Sequence, residues 1–376
     1  MDTYLHSIHY AALLFPLIAI IFTIPYISIL YRRYGSVLLS RVIIVYSFIF
    51  YIQCCYFLTI LPLPPIDEVA YYTQPYVDLI PFHFISEYFA KTSYVIGDPS
   101  SFWNTINELY FYEPFFNAIM LIPLGIYLRY YYEKTFFSTI LISFLLSLSF
   151  ELIQLSALFG IYPRPYRLFQ VDDLILNVFG AIIGFIIAPL ICYFFPTREE
   201  LDTISYKRGN RITWTRRFIS LVTDLMISSL LMVAFYFLNV FRLENKIQLA
   251  IVSYLSNFIL SFIIIPLLSK GKTLGNMSVG IQLITNKNTT PKIKHYLMRY
   301  AFLFLEIIPP PFLMGYILFN LGNFVGIKFI FLLIIALFFC GLSLYNLVTI
   351  LSSLIRRKKC LFYEELSCTK FKTQKK

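Results

Sequence analysis

Charge is scarce in this chain: Asp, Glu, Lys and Arg make up 14% of 376 residues, against roughly 25% in a soluble globular domain. Hydrophobic residues supply 59%, and mean hydropathy is +0.72. Too few ions remain to coat a water-facing surface, which excludes a soluble domain. An all-α, polytopic integral membrane protein is expected instead. Metal and disulfide frameworks are missing as well. Of the six cysteines, Cys54, Cys55 and Cys340 fall in apolar runs, Cys192 near the end of one, and Cys360 and Cys368 in a basic tail. None forms a CxxC pair, and His6, His9, His83 and His295 are scattered, so no metal site is expected. GKTLGN at 271–276 lacks the spacing of a phosphate-binding loop and follows no strand, and no cofactor is expected.

What the chain does have is long apolar runs. A span needs about 20 such residues, and nine runs qualify: about 10–31, 37–61, 115–132, 136–160, 172–195, 217–240, 247–268, 297–319 and 327–355. Pro309, Pro310 and Pro311 should break or kink the eighth. The opening MDTYLHSIHY lacks the positive region of a signal peptide, so the first span is expected to be retained.

The net charge of +11 is not a nucleic-acid footprint, because the basic residues sit in short loops between spans. With the N-terminus outside, 25 of the 31 Lys and Arg face the cytosol, the pattern expected of a plasma-membrane protein that meets anionic lipids there. The C-terminus is then cytosolic. The segment 62–114 is extracellular and carries Asp67, Glu68, Asp78, Glu87, Asp98, Glu108 and Glu113 against Lys91 alone. Polar PTREELDTISYKRGN at 196–210 is the natural boundary, giving a five-helix domain over 1–197 and a four-helix domain over 198–376.

The densest polar signal lies between residues 151 and 177. Glu151 and Gln154 share one helix face. A short loop then brings Arg164 and Arg167, the next span opens with Asp172 and Asp173, and Asn177, Gly180 and Gly184 follow at helical spacing. Asn117, near the start of the third span, reaches the same depth. Ionisable groups at membrane depth are costly and mark sites or pathways, so these eight polar residues are the candidate ligand-binding set. Plainer readings stand beside it. Asp172 could cap its own helix, Glu151 and Gln154 could join helices, and the glycines could simply permit close packing. Asp224 and Glu306 are further intramembrane acids and candidates for ion coupling. Asp224 could equally pair with Arg217 or Arg299, and Glu306 could mark a kink.

These residues also carry resemblances. VDLIPFHFI (77–85), FFNAIMLIPLGIYL (115–128), ELIQ (151–154) and RLFQVDDLILNVFGAIIGF (167–185) resemble the VanZ-like membrane family over about 1–197. That family usually has Asn where Asp78 stands. The resemblance implies an envelope role linked to low-level resistance to the glycopeptide teicoplanin, without implying a reaction. TWTRRFISLVTDLMI and GKTLGNMSVGIQLI resemble the RDD family over about 211–376, with Arg217 and Asp224 as signature residues and Glu364 where the last Asp is expected.

Three functions stay open. The outer cluster could bind the headgroup of a membrane lipid or envelope precursor, without catalysis. Glu151, Asp173, Asp224 and Glu306 could relay protons or cations. Glu151 could act as acid or base on a lipid-linked substrate, although the cluster has no His, and no Ser or Cys paired with a base. Oligomeric state has no signature here.

Overall fold

The computed structural model describes residues 2–73, 75–95, 98–106, 108–240, 246–301, 327–355 and 362–374. Its apolar runs are helices, the form that satisfies every backbone polar group within hydrocarbon. Among the described residues seven helices are long and apolar enough to cross a membrane, rather than the nine expected. Most of the 297–319 run, with Glu306 and Pro309 to Pro311, lies outside the described residues, and its first residues belong to the helix described over Ile293–Ala301. The last run forms the helix Ile327–Ile355, 29 residues long.

The chain divides into two compact units, Met1–Phe22 with Leu38–Ile204 and Thr23–Val37 with Ser205–Lys376. The sequence puts the boundary a few residues earlier, at 197/198. The polar segment at this boundary is a continuous helix, Arg198–Gly209, with Glu199 and Glu200 in its first turn and Lys207 and Arg208 in its last. That charge order favours helix over linker. Buried Arg41 also pairs with Asp202, which ties the first half of this helix into unit one.

Unit one contains α1 (Asp2–Tyr34, shared between the units), α2 (Leu39–Ile60), α3 (His83–Lys91), α4 (Leu109–Met120), α5 (Ile122–Tyr130), α6 (Phe136–Leu155), α7 (Val171–Ile191) and α8 (Arg198–Gly209). α4 and α5 meet at Leu121 and form one span, with Pro123 opening the second helix. The central helix is α7, packed against α4, α5 and α6. Glycine makes that approach possible: a Cβ on Gly184 would lie 1.9 Å from the Ile122 carbonyl oxygen, and one on Gly180 2.2 Å from that of Ala118. The stripe is therefore a packing seam. Leu121, Leu124, Leu128, Phe150 and Ala181 fill the core beside it. After α6 the chain reverses through Ala157, Leu158 and Phe159, all at positive φ. A two-residue strand, β1 (Val77–Asp78), then pairs in parallel with β2 (Phe169–Gln170) and docks the 62–114 segment against the start of α7.

Unit two holds α9 (Trp214–Val240), α10 (Lys246–Ile259), α11 (Leu274–Val279), β3 (Ile281–Thr285), α12 (Ile293–Ala301), α13 (Ile327–Ile355), α14 (Phe362–Leu366) and β4 (Thr369–Thr373). α10 runs on through a π turn to Leu268. β3 and β4 pair antiparallel, and the two short strand pairs are small exceptions in an otherwise helical fold.

Candidate functional site

The 151–177 residues gather at one end of unit one, around the C-terminus of α2. A helix leaves its last carbonyls without intrahelical donors, and here side chains supply them. Gln154 Nε2 donates to the Thr59 carbonyl at 2.7 Å, Tyr166 to Ile60 at 3.1 Å, Arg167 Nη2 to Leu61 at 3.1 Å and Tyr162 to Pro64 at 2.8 Å. Gln154 and Arg167 thus have structural work, and a guanidinium at a helix C-terminus also complements the dipole. Arg164 stacks on the Tyr76 ring at 4.6 Å. Outside the spans, burial pushes the Tyr166 hydroxyl up to about 12, so it stays a neutral donor.

Asp172 does not cap its own helix. The residue before α7, Gln170, sits at the N-cap and makes no side-chain cap bond. The Asp172 carboxylate instead takes the Phe82 N–H at 2.5 Å on Oδ1 and the Phe84 N–H at 2.8 Å on Oδ2. Those are free donors at the start of α3, where a carboxylate is favoured. The same turn is braced by Asp78, whose Oδ2 lies 2.5 Å from His83 Nδ1. That contact holds the His83 imidazole above its ordinary value and Asp78 below its own.

Four ionisable groups, Glu151, Asp173, Glu113 and Arg167, remain as the centre of the site. Glu151 is 3% exposed and accepts the Gln170 N–H at 3.1 Å through one oxygen. Asp173 takes Asn117 Nδ2 at 2.5 Å on Oδ1. The Asp173, Arg167 and Glu113 charges all act on Glu151. Glu113 is a residue the sequence reading counted only as loop charge, yet from the first turns of α4 it interacts with Arg167. Asn177, deeper on α7, donates to Ser147 Oγ at 3.0 Å, and its buried Oδ1 has no hydrogen-bond partner among the described residues. Glu151, Asp173, Asn117 and Arg167 therefore form a carboxylate-rich group with one guanidinium, while Asp172 points to α3 and Gln154 to α2.

Beside this group lies a cavity of about 460 Å³, within the size range of small-molecule sites. Phe84, Tyr88, Tyr110, Phe111, Phe115 and Leu176 are among its walls. Phe84 belongs to both features, its N–H on Asp172 and its ring in the cavity wall. In the sequence these rings stand out only as two aromatic-rich amphipathic stretches, 81–89 and 101–115, of the kind that lie in a membrane interface, and nothing there marks a cavity wall.

In unit two the signature residues are structural. Glu364, buried, bridges Arg217 at 3.0 Å and Arg299 at 2.9 Å. Asp224 pairs with neither arginine, contrary to the plainer reading. It accepts Thr273 Oγ1 and the Gly275 N–H, each at 2.6 Å, at the opening of α11. Arg217 lies on the same helix, but its guanidinium and that of Arg299 are taken up by Glu364, which leaves the Thr273 hydroxyl and the Gly275 N–H as the donors of Asp224. Arg216, beside the expected Arg217, donates to the carbonyls of Val279, Gly280, Gly35 and Gly209. Among the described residues no His, Cys, Asp or Glu group could hold a metal.

Seven helices among the described residues that are long and apolar enough to cross a membrane, with acids along them, define a multi-pass membrane protein. Residues 48–193 match the VanZ/LLP1 family model, and residues 211–359 match the RDD family model. The chain joins a VanZ-like domain to an RDD-family domain, and both place it in the cell envelope. Glu364 lies beyond the matched RDD segment. No curated protein and no solved structure matches the chain.

Proposed function

We propose that the VanZ-like unit binds the polar headgroup of a membrane lipid or lipid-borne envelope precursor at the outer leaflet, and so alters the response to teicoplanin-type glycopeptides. One observation carries this reading. The helix pair α4 and α7 presents an ion group (Asp173 with Asn117) and an aromatic cavity (Pro114, Phe115, Ala118 and Leu176) side by side. An amphiphile needs both: carboxylates and a guanidinium for a headgroup of mixed charge, and rings for its chain. Among the described residues no nucleophile is seen paired with a base in this group, and Ser147 Oγ accepts from the amide of Asn177. Binding is thus favoured over catalysis.

Glu151→Gln tests it. Glutamine keeps an oxygen for the Gln170 N–H and removes the charge. The variant should insert normally yet lose the teicoplanin phenotype of the parent chain in the same strain. An unchanged phenotype with normal insertion would overturn the assignment.

A further inference from the structure

From unit two we infer that the recess at the end of the α10 span is a binding site for the phosphate headgroup of an anionic membrane phospholipid. This is independent of the function proposed for unit one. The recess measures about 760 Å³ and is lined by Leu267, Lys270, Pro291, Lys292, Lys294 and Tyr296, among others. All three charged side chains are lysines, and among the described residues none of them enters a salt bridge. Lys270 from one loop and Lys292 and Lys294 from the start of α12 line the same recess, and like charges brought to one recess repel unless an anion lies between them.

Position argues for a lipid as the source of that anion. The span Ile251–Leu268 ends two residues before Lys270. On the far wall Lys292 and Lys294 flank the start of α12. That helix exposes Ile293 (51%), Leu297 (43%) and Met298 (48%), while Tyr296, Arg299 and Tyr300 are buried. Exposed apolar residues on a helix that opens with lysines put those lysines at the level of the headgroup layer. Leu267 and Leu268, also exposed, continue the apolar surface from the span. A free phosphate would use the lysines and leave these side chains in water, whereas a phospholipid uses both.

The floor of the recess is rigid. Tyr296 is 1% exposed, and its hydroxyl donates to the Pro266 carbonyl at 3.3 Å, joining α12 to the end of the span. The two walls that carry the lysines are thereby joined, so the ligand need not bring them together.

The test uses the purified full chain in neutral detergent, with phosphatidylglycerol, phosphatidylcholine and inorganic phosphate as separate probes. Bound lipid is read by native mass spectrometry, and lysine accessibility by acetylation. Phosphatidylglycerol should bind and protect Lys270, Lys292 and Lys294, leaving exposed Lys287 modified. Each lysine near a headgroup is worth roughly fivefold in affinity, so replacing all three by Gln should weaken binding about 100-fold, and Lys294→Gln alone about fivefold. Equal protection of Lys287 would overturn the inference. So would phosphatidylcholine binding as tightly, full protection by inorganic phosphate alone, or unchanged affinity in the Lys294→Gln chain. The acetylation arm decides the matter even if the triple variant does not fold.

Discussion

Asp172 and Phe84 are joined by a 2.8 Å hydrogen bond from the Phe84 N–H to Oδ2, and the Phe84 ring forms part of the wall of the aromatic cavity. The carboxylate at the start of α7 therefore sets the position of α3 and, through it, one wall of the cavity. Asp172 is a positioning residue.

Replacing Asp172 by Asn makes this measurable. Asparagine has one acceptor oxygen, while both aspartate oxygens are used, by Phe82 and Phe84. The amide NH₂ would face an N–H donor. Losing a charge-assisted hydrogen bond of this kind costs about 1.5–3 kcal/mol, so the variant is not the mild change that a simple helix cap would give. Hydrogen exchange at the Phe82 and Phe84 amides should speed up roughly 10- to 100-fold, at about 1.4 kcal/mol per decade. Unchanged exchange there would remove Asp172 from this role.

The Asp78–His83 contact makes the same turn pH-sensitive. His83 is raised from 6.5 by its hydrogen bond to Asp78. Its contribution is full below the ordinary histidine value and is lost as pH rises through the raised one. Asp78 is lowered from 3.8 by its hydrogen bond to His83, so its contribution is present above 3.8 and lost as pH falls through the depressed value. The ion pair is complete only between those limits. An NMR titration should place the His83 midpoint above 6.5 in the parent chain. Asp78→Asn, which installs the residue usual in VanZ-like chains, should move it back toward 6.5.

How far these sites were legible depends on the range of the contact. Glu151 and Gln154 share a face by helix period alone, and a short loop between α6 and α7 forces the two helices together. The partners of Asp172 could not be read. Its two donors are 90 and 88 residues away and are backbone N–H groups, which leave no mark on composition. Gln154 looked like a ligand contact because its acceptor is a carbonyl at the end of α2, equally unmarked, and the Leu61 carbonyl that Arg167 also holds was hidden in the same way. In unit two, Glu364 was visible as a departure from the family pattern, but its two arginines lie 147 and 65 residues away.

That double pairing makes Glu364 a stability centre. With Gln at 364, Arg299 (4% exposed) would stay buried without a counter-charge, which costs about 3–5 kcal/mol. Glu364→Asp keeps the charge but is one methylene shorter, so it should hold one arginine and lose the other. Thermal unfolding of the full chain in detergent should rank parent above Asp above Gln. A Gln variant as stable as the parent would contradict the burial of this triad.

The glycine seam offers a paired control. Gly184→Val would push a Cβ into the Ile122 carbonyl, 1.9 Å away, whereas a Cβ on Gly341 meets nothing within 4 Å. Gly184→Val should lower the yield of folded protein sharply, while Gly341→Ala should be neutral or stabilise its helix by up to about 1 kcal/mol. Size-exclusion profiles in detergent separate these outcomes.

The sidedness of the chain is the last expectation, and it decides what each site can meet. The asymmetry of 25 Lys and Arg against 6 predicts that the 62–114 segment is outside and the Lys287 turn inside. Asp98 and Lys287 are both exposed, so either position accepts a probe without disturbing a core. In a background with all six cysteines replaced by Ser, Asp98→Cys should react with an impermeant maleimide on intact cells. Lys287→Cys should react only after permeabilisation. The reverse pattern would turn the Glu151 group toward the cytosol, where it could not contact a glycopeptide target. The reading of unit one as an outer-leaflet binding site would then fall, whatever the Glu151→Gln result.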